Sequence, residues 1–301
     1  MTKKYNLYQV DAFTKEKLAG NPAGVITNAD GLSSDQMQKI ARELNNSETA
    51  FIFQSDTKNC DVHVRFFTPT REVPICGHAT IAAHYARAVE KDLDCVRVYQ
   101  KTGAGILPVD VIREKGDYKI VMTQGSIIFE PPLESSFVAS IVAALDINNA
   151  DLMENWPVQI VSTGHSKVMI GIKNKALLNT LTPHMDKLKQ ISEQINCNGF
   201  YIFTTNTDNP EILVCGRMFA PAIGIPEDPV TGNANGPLGA YLVHHKFVKH
   251  NNKAFNFKAL QGEAIHRAGI IDVQVKIDNQ EPAEIQIAGN AVIVFKIELT
   301  L

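Results

Sequence analysis

A thiol, a glycine and an imidazole follow one another at Cys76, Gly77 and His78, within the stretch EVPICGHATIAAHY. The residues before them have the pattern of a strand, and the small apolar residues after them indicate a buried helix. The first N–H groups of a helix have no partner within it and lie at the positive end of its dipole, so a helix start can hold a carboxylate or an oxyanion. His78 is a poor helix cap but can bind a substrate oxygen or carry a proton. This corner is therefore a candidate catalytic site, with a helix cap as the alternative.

A second corner of the same kind occurs at Thr231, Gly232 and Asn233, in the stretch TGNANGPLGAYL. A racemase that used one thiol on each face of its substrate would need a thiol at Thr231 as well as at Cys76. An unassisted hydroxyl is far too weak an acid for that role, so the symmetrical two-thiol mechanism is excluded. We expect Cys76 to be a small buried residue that lines the site. Asn233 is either a substrate contact or a helix cap.

Two carboxylates are the candidate acids and bases. Glu48 lies just before a predicted strand in NNSETAFI, whereas a similar loop further along the chain, NCNGFYI, has no carboxylate. Asp228 precedes a proline in PEDPVTG, and the similar stretch REVPICG carries apolar Ile75 before its corner. General acids and bases are placed in clefts such as the one that two helix starts would form. The alternatives are a solvated loop acid for Glu48 and an Asx turn for Asp228.

The two corners belong to two halves of the chain that resemble each other. The stretch DQMQKIARELNNSETAFIF resembles the later stretch DKLKQISEQINCNGFYIF. In this alignment Ile40 matches Ile191 and Phe51 matches Tyr201. The pairs VRFFTP and GRMFAP, the two corners, and KTGAGILPVDV and LQGEAIHRAGIIDV continue the correspondence in the same order. Four matched segments in one order predict two copies of one ancestral domain. Differences between the copies then point to the chemistry, because structural residues should recur in both.

The elements that position these residues are helices packed on sheets. Ser33 and Gln36 form a capping box ahead of an amphipathic helix. Val62, Val64 and Phe66 alternate along a half-buried strand. The helix after the first corner is apolar nearly all round at its start, so it should be enclosed, which favours a sheet curled around it. We predict an α+β protein with one domain of residues 1–125 plus the C-terminal strand 288–301 and a second of residues 126–287.

Composition narrows the class of partner. The 301 residues are 45% hydrophobic and 20% charged with a net charge of -3, which is typical of a globular protein and gives no basic surface for nucleic acid. We expect no secretion signal and no membrane span, because the start alternates in polarity and no long apolar run occurs. The five cysteines form no C-x-x-C pair and no zinc motif, which favours reduced thiols in a cytoplasm and predicts no metal site.

At these residues the sequence resembles the PhzF-like family of phenazine biosynthesis, which is related to diaminopimelate epimerase. The likeness runs from YQVDAFTKEKLAGNPAGVI through NNSETAFIF, FFTPTREVPICGHAT and MFAPAIGIPEDPVTGNANGPLGAYL to IAGNAVIVFKI. The resemblance implies two similar domains, each a mostly antiparallel sheet curled about a central helix, with an active site between them, no cofactor, and a homodimer. It also implies that Glu48 is the acid and base, assisted by His78 and Asp228. The phenazine enzyme has a serine in place of Asn233 and no thiol at Cys76, and both positions touch the substrate.

Three functional hypotheses follow. The first is a cofactor-independent isomerase that moves a proton on a small carboxylated substrate. The second is an epimerase that uses the one thiol of Cys76 with another base, and the third is a non-catalytic metabolite-binding protein on the same scaffold. The predicted site consists of the catalytic residues Glu48, His78 and Asp228 and the substrate contacts Ser47, Cys76, Gly77, Gly232 and Asn233.

Overall fold

The chain is divided into two units in a computed structural model that describes residues 2–55 and 57–301. Unit 1 contains the residues up to Thr123 together with Ala288–Leu301, and unit 2 contains Gln124–Ile287. The last strand, Glu281–Thr300, begins in unit 2 and ends in unit 1. Among the described residues, no helix is both long and apolar enough to cross a membrane.

Unit 1 is a sheet that surrounds one helix. Its elements are β1 Lys4–Ala12, β2 Asn21–Ile26, α1 Ser34–Leu44, β3 Glu48–Gln54, β4 Val62–Phe67, β5 Glu72–Val73, α2 Gly77–Lys91, β6 Val96–Thr102, β7 Gly105–Glu114 and β8 Asp117–Thr123. The strands pair in the order β1, β2, β3, β4, β6, β7 and β8, and the strand Glu281–Thr300 pairs with both β8 and β1. These pairings close the sheet, and α2 packs against five of its strands.

The sequence of unit 1 explains both of its longer helices. Ser33 and Gln36 form the predicted capping box of α1, and Met37 and Ile40 of that helix are buried beneath the outer face of β3. The helix α2 is enclosed because its first turns carry only small or apolar side chains and buried histidines. The prediction of a sheet curled about an enclosed helix is therefore confirmed.

Unit 2 repeats this plan. Its elements are β9 Ile128–Pro132, α3 Ser135–Leu145, β10 Gln159–Ser162, β11 Ser166–Gly171, α4 Lys175–Thr180, α5 Met185–Ile195, β12 Phe200–Thr204, β13 Val214–Ala220, β14 Ile225–Asp228, α6 Gly232–His244, β15 Ala254–Gln261, β16 Gly269–Asp278 and β17 Glu281–Thr300, with short 3₁₀ turns at Asn149–Asp151, Pro221–Ile223 and Glu263–Ile265. The order of strands and the two parallel pairs recur: β2 with β3 and β4 with β6 in unit 1, β11 with β12 and β13 with β15 in unit 2. The helix α6 packs against β10, β11 and β16.

The structure corrects the register of the repeat by one residue. Phe51 pairs with Arg65 across β3 and β4, and Ile202 pairs with Arg217 across β12 and β13. Phe51 and Ile202 also face the same way, into the cores beneath α1 and α5. Ile202 is therefore the counterpart of Phe51, and the match of Phe51 with Tyr201 made from residue types was wrong. Glu48 corresponds to Gly199 as a result.

Candidate active site

Glu48 is the first residue of β3 and is held close to the start of α2. The helix α1 ends at Leu44, and Asn45 turns the chain through a left-handed conformation with φ of 53° before β3 begins. The side chain of Glu48 is 13% exposed, and its Oε2 lies 3.4 Å from His78 Nε2. Its neighbour across the parallel pair with β2 is the small residue Ala23, which leaves room on this side of the sheet.

His78 occupies the first turn of α2 and is buried between three polar side chains. Its Nε2 lies 3.2 Å from Ser47 Oγ as well as near Glu48, and its Nδ1 lies 3.4 Å from Cys76 Sγ. Cys76 precedes the helix in an extended conformation and makes no capping bond with its side chain. A carboxylate, an imidazole and a thiol thus share one small region of unit 1. Since the side chain of Cys76 does not cap the helix, the structure does not support the helix-cap interpretation of this corner.

Asp228 is the last residue of β14 and is buried in unit 2. Its carboxylate Oδ2 accepts a hydrogen bond from the hydroxyl of Thr231. The side-chain amide of Gln261 donates to the carbonyl oxygen of Asp228 at 2.8 Å and to Thr231 Oγ1 at 3.1 Å. The turn that leads into α6 is therefore fixed by hydrogen bonds in which Asp228 takes part.

Gly232 and Asn233 begin α6, as Gly77 and His78 begin α2. The amide nitrogen of Gln124 donates to the carbonyl oxygen of Gly232 at 3.0 Å and lies 3.4 Å from Asn233 Oδ1. A Cβ on Gly232 would lie 2.3 Å from Cδ1 of Ile287, so the close approach of that side chain requires glycine here. The start of α6 carries no titratable side chain of the kind that His78 provides in unit 1.

Lys167 is a charged residue of unit 2 that the sequence did not suggest. It lies in β11 and is 6% exposed, and its Nζ donates to the carbonyl oxygen of Ser166 at 3.0 Å. Burial lowers the pKa of Lys167, while Cys197 and Asp228 act in the opposite direction. The only sequence signal is a lone lysine within the otherwise apolar strand SKVMIG.

A glycine makes room for this lysine. Gly199 precedes β12, and a Cβ at that position would lie 2.5 Å from Cδ and 2.8 Å from Cε of Lys167. The same position is 3.5 Å from Sδ of Met218, which pairs with Asp228 across β13 and β14. The side chain of Lys167 therefore crosses the end of β12, on the face of the sheet that carries Met218.

The predicted site residues form one group in each unit. Ser47, Glu48, Cys76 and His78 come together in unit 1, where Gly77 begins the helix that carries His78. Asp228, Gly232 and Asn233 lie along one turn of unit 2.

Comparisons with known proteins agree along the whole chain. The PhzC-PhzF family, described as phenazine biosynthesis-like protein, matches residues 10–297. A Clostridium acetobutylicum protein described as an uncharacterized isomerase is 65% identical over 100% of both chains. The trans-2,3-dihydro-3-hydroxyanthranilate isomerase of Pseudomonas aeruginosa is 30% identical, over 93% of this chain and 94% of its own. The crystal structure of a PhzF-family phenazine biosynthesis protein from Bacillus anthracis superposes with a TM-score of 0.88 at 31% identity, over 99% of this chain and 100% of that one.

Proposed function

This chain belongs to the phenazine biosynthesis-like family of isomerases, and from that premise we propose that Glu48 moves a proton on a small carboxylated substrate without a cofactor. The observation that carries the proposal is the 3.4 Å approach of Glu48 Oε2 to His78 Nε2, with Ser47 on the same nitrogen. A general base must lie within reach of its partners in a site that excludes most water. Both side chains are largely buried, which meets that condition.

The reaction has two proton transfers. The carboxylate of Glu48 takes a proton from a carbon next to a carboxylate or a conjugated system, and the electron pair of the broken C–H bond moves into that system. The carboxylic acid of Glu48 then returns the proton to a different carbon, so that the double bond shifts and no other atom is gained or lost. His78 holds the carboxylate of Glu48 in place between the two steps.

The negative charge that develops on the substrate needs stabilisation. N–H groups at the start of α2, the helix that carries His78, are the donors that we propose for this role. We propose that the substrate carries a carboxylate. The relative from Pseudomonas aeruginosa is named for an anthranilate derivative, which has such a group. We also propose that the protein is a cytoplasmic homodimer, as the family resemblance and the free thiols suggest.

The substitution Glu48→Gln tests the proposal because it keeps the shape of the side chain and removes the base. The measurement is deuterium incorporation from D2O into trans-2,3-dihydro-3-hydroxyanthranilate and a panel of small unsaturated carboxylates. We expect exchange to fall by at least about 100-fold, as general acid–base catalysis contributes about 10² to 10⁴. Glu43→Gln, at an exposed acid of α1, is the matched control and should exchange as the unaltered protein does.

One observation favours a second candidate, the one-thiol epimerase. Cys76 Sγ lies 3.4 Å from His78 Nδ1, close enough for the imidazole to take the thiol proton. Such an enzyme would invert a stereocentre without moving a double bond. Retention of full turnover in Cys76→Ala would exclude it, and loss of turnover in that variant with exchange intact in Glu48→Gln would establish it instead of the isomerase.

A further inference from the structure

Three side chains that commonly bind transition metals meet in unit 1. The carboxylate of Glu48, the thiol of Cys76 and the imidazole of His78 have ligand atoms that all lie within 4.8 Å of one another. They come from two distant parts of the chain, the start of β3 and the corner before α2. No metal-binding motif links them in the sequence, so only the fold reveals the group.

The spacing of the three atoms suits a tetrahedral zinc ion. Around zinc, with bonds of about 2.0 to 2.3 Å to nitrogen, oxygen and sulfur, neighbouring ligand atoms are roughly 3.3 to 3.6 Å apart. His78 Nε2 is already 3.4 Å from Glu48 Oε2. The same nitrogen is 4.0 Å from Cys76 Sγ, so the thiol must move about 0.5 Å closer to complete that edge.

The charges and burial of the group also suit a divalent cation. A thiolate and a carboxylate supply two negative charges, and a neutral imidazole supplies the third ligand. The thiolate of Cys76 is the form that binds metal. The side chains of Glu48 and His78 are only 13% and 7% exposed, so few waters compete for the ion. Ser47 Oγ lies 3.2 Å from His78 Nε2 and is a further oxygen beside the group.

Unit 2 provides an internal control for this geometry. The positions that correspond to Glu48, Cys76 and His78 are Gly199, Thr231 and Asn233, none of which is a thiol, an imidazole or a carboxylate. The repeated fold therefore does not by itself generate a set of metal ligands. The set arises from the residues that distinguish unit 1.

We propose that Glu48, Cys76 and His78 bind one zinc ion, and that the bound ion inhibits the protein by occupying the carboxylate that moves the proton. The inhibition rests on the proposed function, whereas the binding does not. Because a thiol must lose its proton to bind, uptake of the ion near neutral pH should release about one proton.

Cobalt(II) is the probe, because a thiolate bound to it absorbs in the near ultraviolet and a tetrahedral site absorbs strongly in the visible. We expect one equivalent of Co²⁺ to produce both bands in the unaltered protein and one equivalent of Zn²⁺ to abolish them. Cys76→Ser should lose the near-ultraviolet band and bind Zn²⁺ at least about 100-fold more weakly by calorimetry. Cys95→Ser removes an exposed thiol elsewhere in unit 1 and should behave as the unaltered protein does.

Two results would overturn the metal site. One is an unchanged near-ultraviolet band in Cys76→Ser, and the other is the absence of both bands in the unaltered protein at stoichiometric Co²⁺. Circular dichroism and thermal melting must first show that Cys76→Ser is folded, and Glu48→Gln serves as a second ligand variant with an expected loss of about tenfold or more in affinity. If Glu48→Gln leaves proton exchange intact, the proposed function fails while the cobalt spectrum still decides the metal site.

Discussion

The two units share one fold but carry different side chains at the positions that could do chemistry. At the start of the strand after the amphipathic helix, unit 1 has Glu48 and unit 2 has Gly199. On the adjacent parallel strand the relation is reversed, since unit 1 has Ala23 and unit 2 has the buried Lys167. Unit 1 thus has an acid on one strand of this pair and unit 2 has a base on the other strand, and each lies beside a small residue on the neighbouring strand.

The corners before the enclosed helices differ in the same complementary way. Val73 pairs with Phe66 in unit 1, and Asp228 pairs with Met218 in unit 2, so Asp228 corresponds to a valine. Unit 1 has the imidazole of His78 where unit 2 has an amide. The two units therefore share their strand pairings and helix starts, while each carries charged groups that the other lacks.

An ion pair that recurs in both units should contribute very unequally to the free energy of unfolding. Arg217 makes two hydrogen bonds to Glu227 and two more to backbone carbonyls, with the paired side chains only 7% and 10% exposed. Arg65 makes the same pair with Glu72, but at 23% and 44% exposure. Arg217→Ala should lower the free energy of unfolding by about 3 to 5 kcal/mol, because it leaves a buried carboxylate unpaired.

Arg65→Ala is the matched variant for that measurement. Its expected cost is about 1 kcal/mol or less, since water screens an exposed pair. Chemical denaturation of both variants measures the difference. Equal costs would show that the exposure of the two pairs does not decide their contribution to stability.

A pH dependence should arise from unit 1. His84 of α2 is fully buried with Nε2 3.0 Å from Gln100 Oε1, and burial lowers its pKa to about 4. The corresponding residue of α6 is Gly239, which cannot titrate. Below about pH 6.5 the histidine binds a proton in the unfolded chain, whereas buried His84 of the folded protein stays neutral down to about pH 4. The free energy of unfolding therefore falls as the pH is lowered from 6.5 to 4, by about 3 kcal/mol in all. That contribution is fully present above pH 6.5.

The variant His84→Gln isolates this effect, because glutamine can still donate to Gln100 but does not titrate. Its free energy of unfolding should change less between pH 7 and pH 4 than that of the unaltered protein, by about the same 3 kcal/mol. Denaturation curves at the two pH values provide the comparison. Parallel behaviour of the two proteins would assign the acid sensitivity to other groups.

The smallest expected effect concerns the space that unit 2 keeps for its lysine. Gly199→Ala places a methyl group 2.5 Å from Cδ of Lys167, which should cost about 1 to 2 kcal/mol of unfolding free energy through overpacking. In a protein that also carries Lys167→Ala, the same methyl group meets no obstacle. A double-mutant cycle should therefore give a coupling of about 1 kcal/mol, and strictly additive costs would contradict the proposed exchange of space between the two residues.

The elements that were predictable from the sequence are those with local signals. Ser33 and Gln36 predict the start of α1 because their side chains form a capping box. The glycines at the two corners predict where α2 and α6 begin. The enclosed helix followed from its composition. Each of these predictions depends on residues that are neighbours in the chain, which is why the structure confirms them.

The features that could not be predicted depend on which face of a strand a residue occupies. The run Phe51-Ile52-Phe53 resembles Tyr201-Ile202-Phe203 by residue type. The strand register nevertheless makes Ile202, not Tyr201, the counterpart of Phe51 in unit 2. A shift of one residue reverses the face, and residue types alone do not detect it. The burial of Lys167 was not predicted for a related reason. Lysine is rarely buried, and no neighbouring residue in the sequence indicates the space that Gly199 provides.

Comparison of Glu48→Gln with the unaltered protein in deuterated buffer tests directly whether Glu48 moves the proton. Proton exchange on trans-2,3-dihydro-3-hydroxyanthranilate or a related small carboxylate should fall at least about 100-fold in the variant, while its thermal melting stays unchanged. The control Glu43→Gln should exchange at the full rate. Exchange in Glu48→Gln at the rate of the unaltered protein would contradict the claim that the carboxylate unique to unit 1 moves the proton.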